Sequence, residues 1–191
     1  MDNFKKFLEG INIYLREVNE TDVTDNYYNW INDPEINQYL ETRYFPRSKT
    51  NILDYVKHMD GLSNEVFFAI CDKATNKHIG NIKLGPINWI HRYGDISLLI
   101  GEKDYWGKGL ATEAIRLVTE FGFYTLNLHK IKAGCYENNH GSAKAFEKVG
   151  FVREGLLKKQ WMVNGSLQDE ILLGICFEDY KPLTYKLSHK R

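Results

Sequence analysis

Apolar and polar residues alternate over residues 11–18, and a period of two predicts a half-buried strand. The period then lengthens. Over residues 21–32 the apolar positions Val23, Tyr27, Trp30 and Ile31 recur at helical spacing, with Thr21 or Asp22 available as a cap. Asp33-Pro34 breaks this helix, and a loop rich in Tyr, Glu and Arg follows over residues 39–47. Ser48 caps a second helix whose apolar side carries Ile52, Tyr55, Val56 and Met59. Residues 66–71 form a short apolar strand, 72–77 a polar turn, 78–84 the returning strand and 93–101 a further strand. The longest helix spans 107 to about 127, with an apolar stripe of Ala111, Ala114, Ile115, Val118, Phe121 and Gly122. A strand over 130–136 and a short helix over 139–149 come next. Gly150 suits a left-handed cap there, and Phe151 can fold back onto the last turn. The final two strands, about 157–163 and 167–177, are joined by Asn164-Gly165, because both positions of a tight hairpin turn need positive φ.

The element order is strand, two helices, three strands, helix, strand, helix, two strands. No linker, repeat or low-complexity tract interrupts it. A chain of 191 residues therefore reads as one domain over 1–182. The basic tail over 183–191, with Lys186, His189, Lys190 and Arg191, reads as a frayed terminus. Lys plus Arg equals Asp plus Glu at 25 each, and this balance opposes a nucleic-acid partner, which would require a cationic excess. Cys71, Cys135 and Cys176 are odd in number and lack metal-site spacing, so they read as free thiols in a reducing compartment. No apolar run approaches the roughly 20 residues of a membrane span, and residues 1–15 lack the features of a signal peptide. The expectation is a soluble, cytoplasmic protein with no catalytic metal.

The chemistry concentrates where the strand over 93–101 runs through Gly107 and Gly109 into the long helix. Helix starts carry unpaired N–H groups and partial positive charge, and glycine lets a phosphate approach the backbone. A Walker A loop is absent, because five residues separate Gly101 from Gly107 and Lys108 is followed by Gly109. A dinucleotide GxGxxG also fails, since Thr112 occupies the third glycine position. Taken alone, the segment is equally readable as a tight strand-to-helix turn without a ligand.

The segment 130–151, KIKAGCYENNHGSAKAFEKVGF, adds a second motif. Trp106-Gly107-Lys108-Gly109-Leu110-Ala111 resembles the (Gln/Arg)-x-x-Gly-x-(Gly/Ala) coenzyme A loop of the GNAT (Gcn5-related) acetyltransferases. Asn139-x-x-Ser142, ending in Glu-Lys-Val-Gly-Phe, is similar to that family's second coenzyme motif. Over residues 11–180 the chain resembles the branch containing ribosomal-protein, amino-sugar and polyamine acetyltransferases. Two departures stand out: Trp106 replaces the usual Gln or Arg, and Phe146 replaces the tyrosine that serves many members as general acid.

The resemblance implies an α+β fold. Its mostly antiparallel central sheet has six to seven strands, splays between the fourth and fifth, and carries about four helices. It implies acetyl-CoA as co-substrate and transfer of the acetyl group to a primary amine on an amino sugar, a protein N-terminus or a polyamine. A non-catalytic acetyl-CoA-binding module is the alternative. Amides of Gly107, Gly109, Leu110, Ala111 and Thr112 would hold the pyrophosphate, beside Trp106 and Lys108. A backbone N–H at Leu99 or Ile100 would polarise the thioester carbonyl, and Asn139 would bond the pantetheine arm or simply cap its helix. Acyl transfer needs a neutral amine, whose ordinary pKa is near 10, so a base is required. Asp95 is the candidate base, against a structural carboxylate. Ser142 is the candidate proton donor to the departing sulfur, against a capping serine. Around the acceptor, Glu41, Arg43 and Tyr44 on the 39–47 loop and Trp89 on a later turn are candidate walls, against a packed surface loop. A homodimer is compatible with all of this.

Overall fold

The structure, a computed structural model, describes residues 5–182; the basic tail over 183–191 lies outside them. One sheet organises the molecule, in the order β1-β2-β3-β4-β5-β6-β8-β7. Its strands are β1 (Leu8–Glu9), β2 (Ile13–Glu17), β3 (Val66–Asp72), β4 (His78–Leu84), β5 (Tyr93–Ile100), β6 (Lys130–Tyr136), β7 (Val152–Val163) and β8 (Ser166–Cys176). The eighth strand beyond the sequence pattern is β1, a two-residue hairpin arm pairing Leu8 with Leu15. All neighbours are antiparallel except β5 and β6. Those two pair only from Tyr93–Lys130 to Asp95–Lys132, and beyond Asp95 they diverge. This is the expected splay.

The helices are α1 (Asp25–Asn32), α2 (Lys49–Met59), α3 (Leu110–Glu120) and α4 (His140–Glu147). Ser48 caps α2 in a reciprocal box with Asn51. The first helical segment divides in two: Asn19 caps a 3-10 turn at Glu20–Asp22, and Thr24 caps α1. The long helix starts at Leu110 because Gly109 adopts the left-handed φ of 80°, and after Glu120 it widens into a π-turn, Phe121–Thr125. Asn164 and Gly165 take φ of 49° and 78°, as the β7–β8 hairpin requires.

Alternation along each strand sends side chains to opposite faces. Ile96, Leu98 and Ile100 meet α3 and α4 in the main core, with Ile115 and Val118 fully buried. Each such aliphatic chain contributes roughly 1.5–3 kcal/mol. Leu99 and Phe67 face the other way, onto Tyr27, Trp30, Ile52 and Val56 of α1 and α2. Trp30 lies so close on Gly101 that a Cβ there would fall 2.1 Å from the indole, which fixes α1 at the end of β5. The connection after α1 is thereby held over the mouth of the splay.

Candidate active site

A cavity of about 670 Å³ opens where β5 and β6 part. Its walls come from the second half of β5, the turn into α3, the inner face of α4, Gly134–Tyr136, the segment 35–41 and two residues of the last hairpin, Trp161 and Glu170. Among the described residues, no group of three or more His, Cys, Asp or Glu could hold a metal, and no helix is long and apolar enough to cross a membrane.

At one end lies the helix entry. Gly107 and Gly109 have φ of 73° and 80°, and a Cβ on either would project into open space. The first bond within α3 runs from Glu113 N–H to the Gly109 carbonyl, at 3.1 Å. Helix geometry therefore leaves the N–H groups of Leu110, Ala111 and Thr112 pointing forward without helical partners, and glycine offers no side chain to cap them. Trp106 shapes this turn: its indole N–H donates to the Ile100 carbonyl at 2.7 Å. Such a concave, positively polarised backbone fits a diphosphate, and the open space in front of two glycines leaves room for one. Lys108 stands outside the cavity walls, its ammonium 5.3 Å from the Tyr105 ring centre.

The second coenzyme segment faces this turn across the cavity. Asn139 Oδ1 accepts from the Ser142 N–H at 3.1 Å, so the carbonyl caps α4 and the NH₂ remains as a donor. Ser142 is half-buried on the cavity wall. Phe146 is 1% exposed and packs edge-on against Phe151 at 5.0 Å, a hydrocarbon wall with no proton to give. Burial pushes the Cys135 thiol up to about 11, so it remains protonated at neutral pH.

The opposite end is acidic and aromatic. Glu41 lines it and accepts from the Tyr136 hydroxyl. Arg43 donates to Tyr136 Oη at 2.9 Å and lies 3.7 Å from Glu41. Burial, with the Glu41 hydrogen bond second, pushes the Tyr136 hydroxyl up to about 12. Tyr44 donates to the Met162 carbonyl at 2.9 Å, tying the 3-10 turn Glu41–Tyr44 to the β7–β8 hairpin. Arg43 and Tyr44 therefore buttress this wall and do not line the cavity.

Trp161 and Glu170 complete the acidic end. Two extra residues bulge out of β7 between Leu157 and Trp161, with Lys159 at φ 54°. The bulge sets Trp161 5.4 Å from the Tyr136 ring, where it hydrogen-bonds Glu170. Glu170 leans over Gly134 so closely that a Cβ there would lie 2.2 Å from its Oε1.

Of the sequence candidates, Leu99, Ile100, Trp106, Gly107, Gly109, Leu110, Ala111, Thr112, Asn139, Ser142 and Glu41 share this cavity. Asp95 lies outside its walls, in an ion pair with Lys132 at 3.2 Å. Trp89 also lies elsewhere, its indole donating to the Ser63 carbonyl at 3.0 Å. Tyr136, Trp161 and Glu170 were absent from the sequence candidates. The alternation of β8 does give a signal for Glu170, because Ile171, Leu173 and Ile175 claim the core face. For Trp161 no signal exists, since the bulge that re-aims it breaks the strand period.

Residues 12–152 match the model of the acetyltransferase (GNAT) domain. Over 126 residues the chain is 32% identical to spermidine N(1)-acetyltransferase of Escherichia coli, covering 66% of each chain. The uncharacterized N-acetyltransferase p20 of Bacillus licheniformis is 28% identical over 177 residues, 91% of this chain and 97% of that one. The crystal structure of spermidine N-acetyltransferase from Vibrio cholerae, in complex with CoA and spermine, superimposes with a TM-score of 0.80 at 27% identity, covering 88% of this chain and 98% of that one. With the splayed sheet, the glycine turn and the matched domain together, the chain belongs to the GNAT family and is an acetyl-CoA-dependent amine N-acetyltransferase.

Proposed function

We propose that the acceptor is a small-molecule primary amine that arrives as an ammonium ion, with di- and polyamines the favoured class. One observation carries this reading: the carboxylates of Glu41 and Glu170 line the cavity beside Tyr136 and Trp161, with Tyr39 stacked near Tyr136. Carboxylates and aromatic faces together attract an alkylammonium. The lining lysines are Lys144 on α4 and Lys148 at its C-cap, on the coenzyme side of the cavity in this reading. The likeness to relatives named for spermidine points the same way. The Tyr136–Trp161 pair, centres 5.4 Å apart, favours a second reading in which the amine sits on a sugar ring stacked against them.

In this account the amides of Gly107 and Gly109–Thr112 hold the pyrophosphate, with Lys108 at its edge. The Asn139 NH₂ bonds the pantetheine arm, and the edge of β5 beyond Asp95, free of β6, presents the backbone N–H of Ile100 to the thioester oxygen, since Leu99 turns its polar groups toward β4. An oxyanion contact of this kind is worth about 3 kcal/mol. Ser142 supplies the proton to sulfur in place of the hydroxyl that Phe146 lacks. Transfer is direct, within a ternary complex. The free thiols support a cytoplasmic setting.

A thiol-release assay with acetyl-CoA against spermidine, amino sugars and free-amino-terminal peptides tests the acceptor class. The proposal expects the highest kcat/KM with a polyamine. A preference for peptides, with polyamines and amino sugars inert, would refute it.

A further inference from the structure

Three cavity-side carboxylates other than Glu170 are already engaged by cations. Glu35 pairs with Lys103. Glu41 pairs with Arg43 and accepts from Tyr136. Asp95, just outside the walls, pairs with Lys132 at 3.2 Å. Among the described residues Glu170 has no cation partner, and the Trp161 side chain is its hydrogen-bond partner. It extends from β8 over Gly134, which lies two residues past the last β5–β6 pair, inside the splay. Only a residue without Cβ at 134 leaves space for that carboxylate.

We propose that Glu170 is a catalytic residue, the base that unmasks the amine. This rests on the acceptor reading above. In the step, a Glu170 carboxylate oxygen takes one proton from R–NH₃⁺. The freed nitrogen lone pair forms the C–N bond to the acetyl carbon, and the C–S bond breaks. The second N–H proton ends on sulfur, by way of the Ser142 hydroxyl, giving the free thiol. Glu170 then returns its proton to water, so one proton is released per acetyl transferred.

The surroundings suit a base. Burial raises the Glu170 pKa above the ordinary carboxylate range, and the negative charges of Glu41 and Asp95 raise it further, while the Trp161 bond opposes the shift. A raised pKa strengthens the carboxylate as a proton acceptor near neutral pH. The charged and titratable groups around it are Glu41 and its partner Arg43 from the overhanging loop, Asp95 from β5 with its partner Lys132 on β6, and Tyr136 from β6, with Trp161 of β7 as hydrogen-bond partner. Asp95 thus acts on the base through its charge and is a positioning residue.

The test compares Glu170→Gln and Glu170→Asp with wild type, using the best amine that the wild-type enzyme acetylates. Expected for Glu170→Gln is a kcat loss of roughly 10²–10⁴-fold, with acetyl-CoA affinity by calorimetry unchanged. The acidic limb of the wild-type kcat/KM profile should give way to a rate that keeps rising with pH, as only amine already neutral reacts. Glu170→Asp should recover part of kcat, and Asp95→Asn should keep the limb but move it to lower pH. A rise in amine KM at unchanged kcat would overturn the proposal and make Glu170 an ammonium anchor. Retention of the acidic limb in Glu170→Gln would also overturn it. Failure of the acceptor reading shows separately, as a wild-type preference for peptides, and the variant test then runs on that amine.

Discussion

Gly134→Ala puts the geometry over the splay to a quantitative test. A Cβ at 134 lies 2.2 Å from Glu170 Oε1 and 3.3 Å from its Cδ, with no backbone atom among the nearest neighbours. Ordinary contacts begin near 3.5 Å, so the carboxylate oxygen must withdraw by about 1.3 Å. Misplacing a reacting group by about 1 Å costs on the order of 10²-fold in rate, equivalent to about 2.7 kcal/mol. Folding changes little. Alanine gains about 0.4–1 kcal/mol by restricting the unfolded chain, and an off-rotamer Glu170 returns about 0.5–1.5 kcal/mol. The expected Tm shift is then within about 4 °C. Thiol release should show kcat down roughly 100-fold, with acetyl-CoA affinity nearly intact by calorimetry. Gly134→Ala combined with Glu170→Gln should be no slower than Glu170→Gln alone, because both disable one group. A folded Gly134→Ala enzyme with kcat within about twofold of wild type would refute this reasoning.

Gly109→Val should fold with a loss of about 1–2 kcal/mol, since a left-handed φ of 80° disfavours any side chain, and should weaken acetyl-CoA binding at least tenfold in calorimetry; unchanged binding contradicts a backbone phosphate site. Ser142→Ala should lower kcat with acetyl-CoA affinity unchanged; full activity across pH removes Ser142 as proton donor. Tyr136→Phe leaves Glu41 and Arg43 without the hydroxyl between them and should raise the amine KM while costing about 1 kcal/mol of stability. The buried Arg16–Asp22 pair, at 2.6 Å, makes acid stability testable. Burial opposes ionisation of Asp22, yet the Arg16 hydrogen bonds, the Asn19 amide and His78 outweigh it and hold its pKa below 3.8. Its contribution is complete above about pH 5 and is lost as pH falls through the depressed folded value. Urea unfolding should show this acid limb in wild type and not in Asp22→Ala, which should be about 3–5 kcal/mol less stable.

Where periodicity and local chemistry agree, the sequence alone was sufficient. The span 130–136, the Ser48 cap and the Asn164-Gly165 hairpin are decided by neighbouring residues, and the structure reproduces each. The glycine turn was legible for the same reason, because positive φ at Gly107 and Gly109 is a local demand. The acidic end was not. Glu170 is brought over Gly134 by pairing across β6 and β8, and Trp161 is turned inward by a bulge with no local signature. Asp95 illustrates the converse: its strand was correctly placed, but Lys132 directly opposite occupies its carboxylate. Single-sequence reasoning sees which residues share a strand face, and it does not see which partner reaches them first.

The central claim is that main-chain amides at the start of α3 grip the coenzyme. Backbone ¹⁵N–¹H spectra recorded while CoA is titrated into the protein test it most directly. The largest shifts are expected at Gly107, Gly109, Leu110, Ala111 and Thr112, with Asn139 and Ser142 following. Saturable binding that leaves those resonances unmoved would contradict the account.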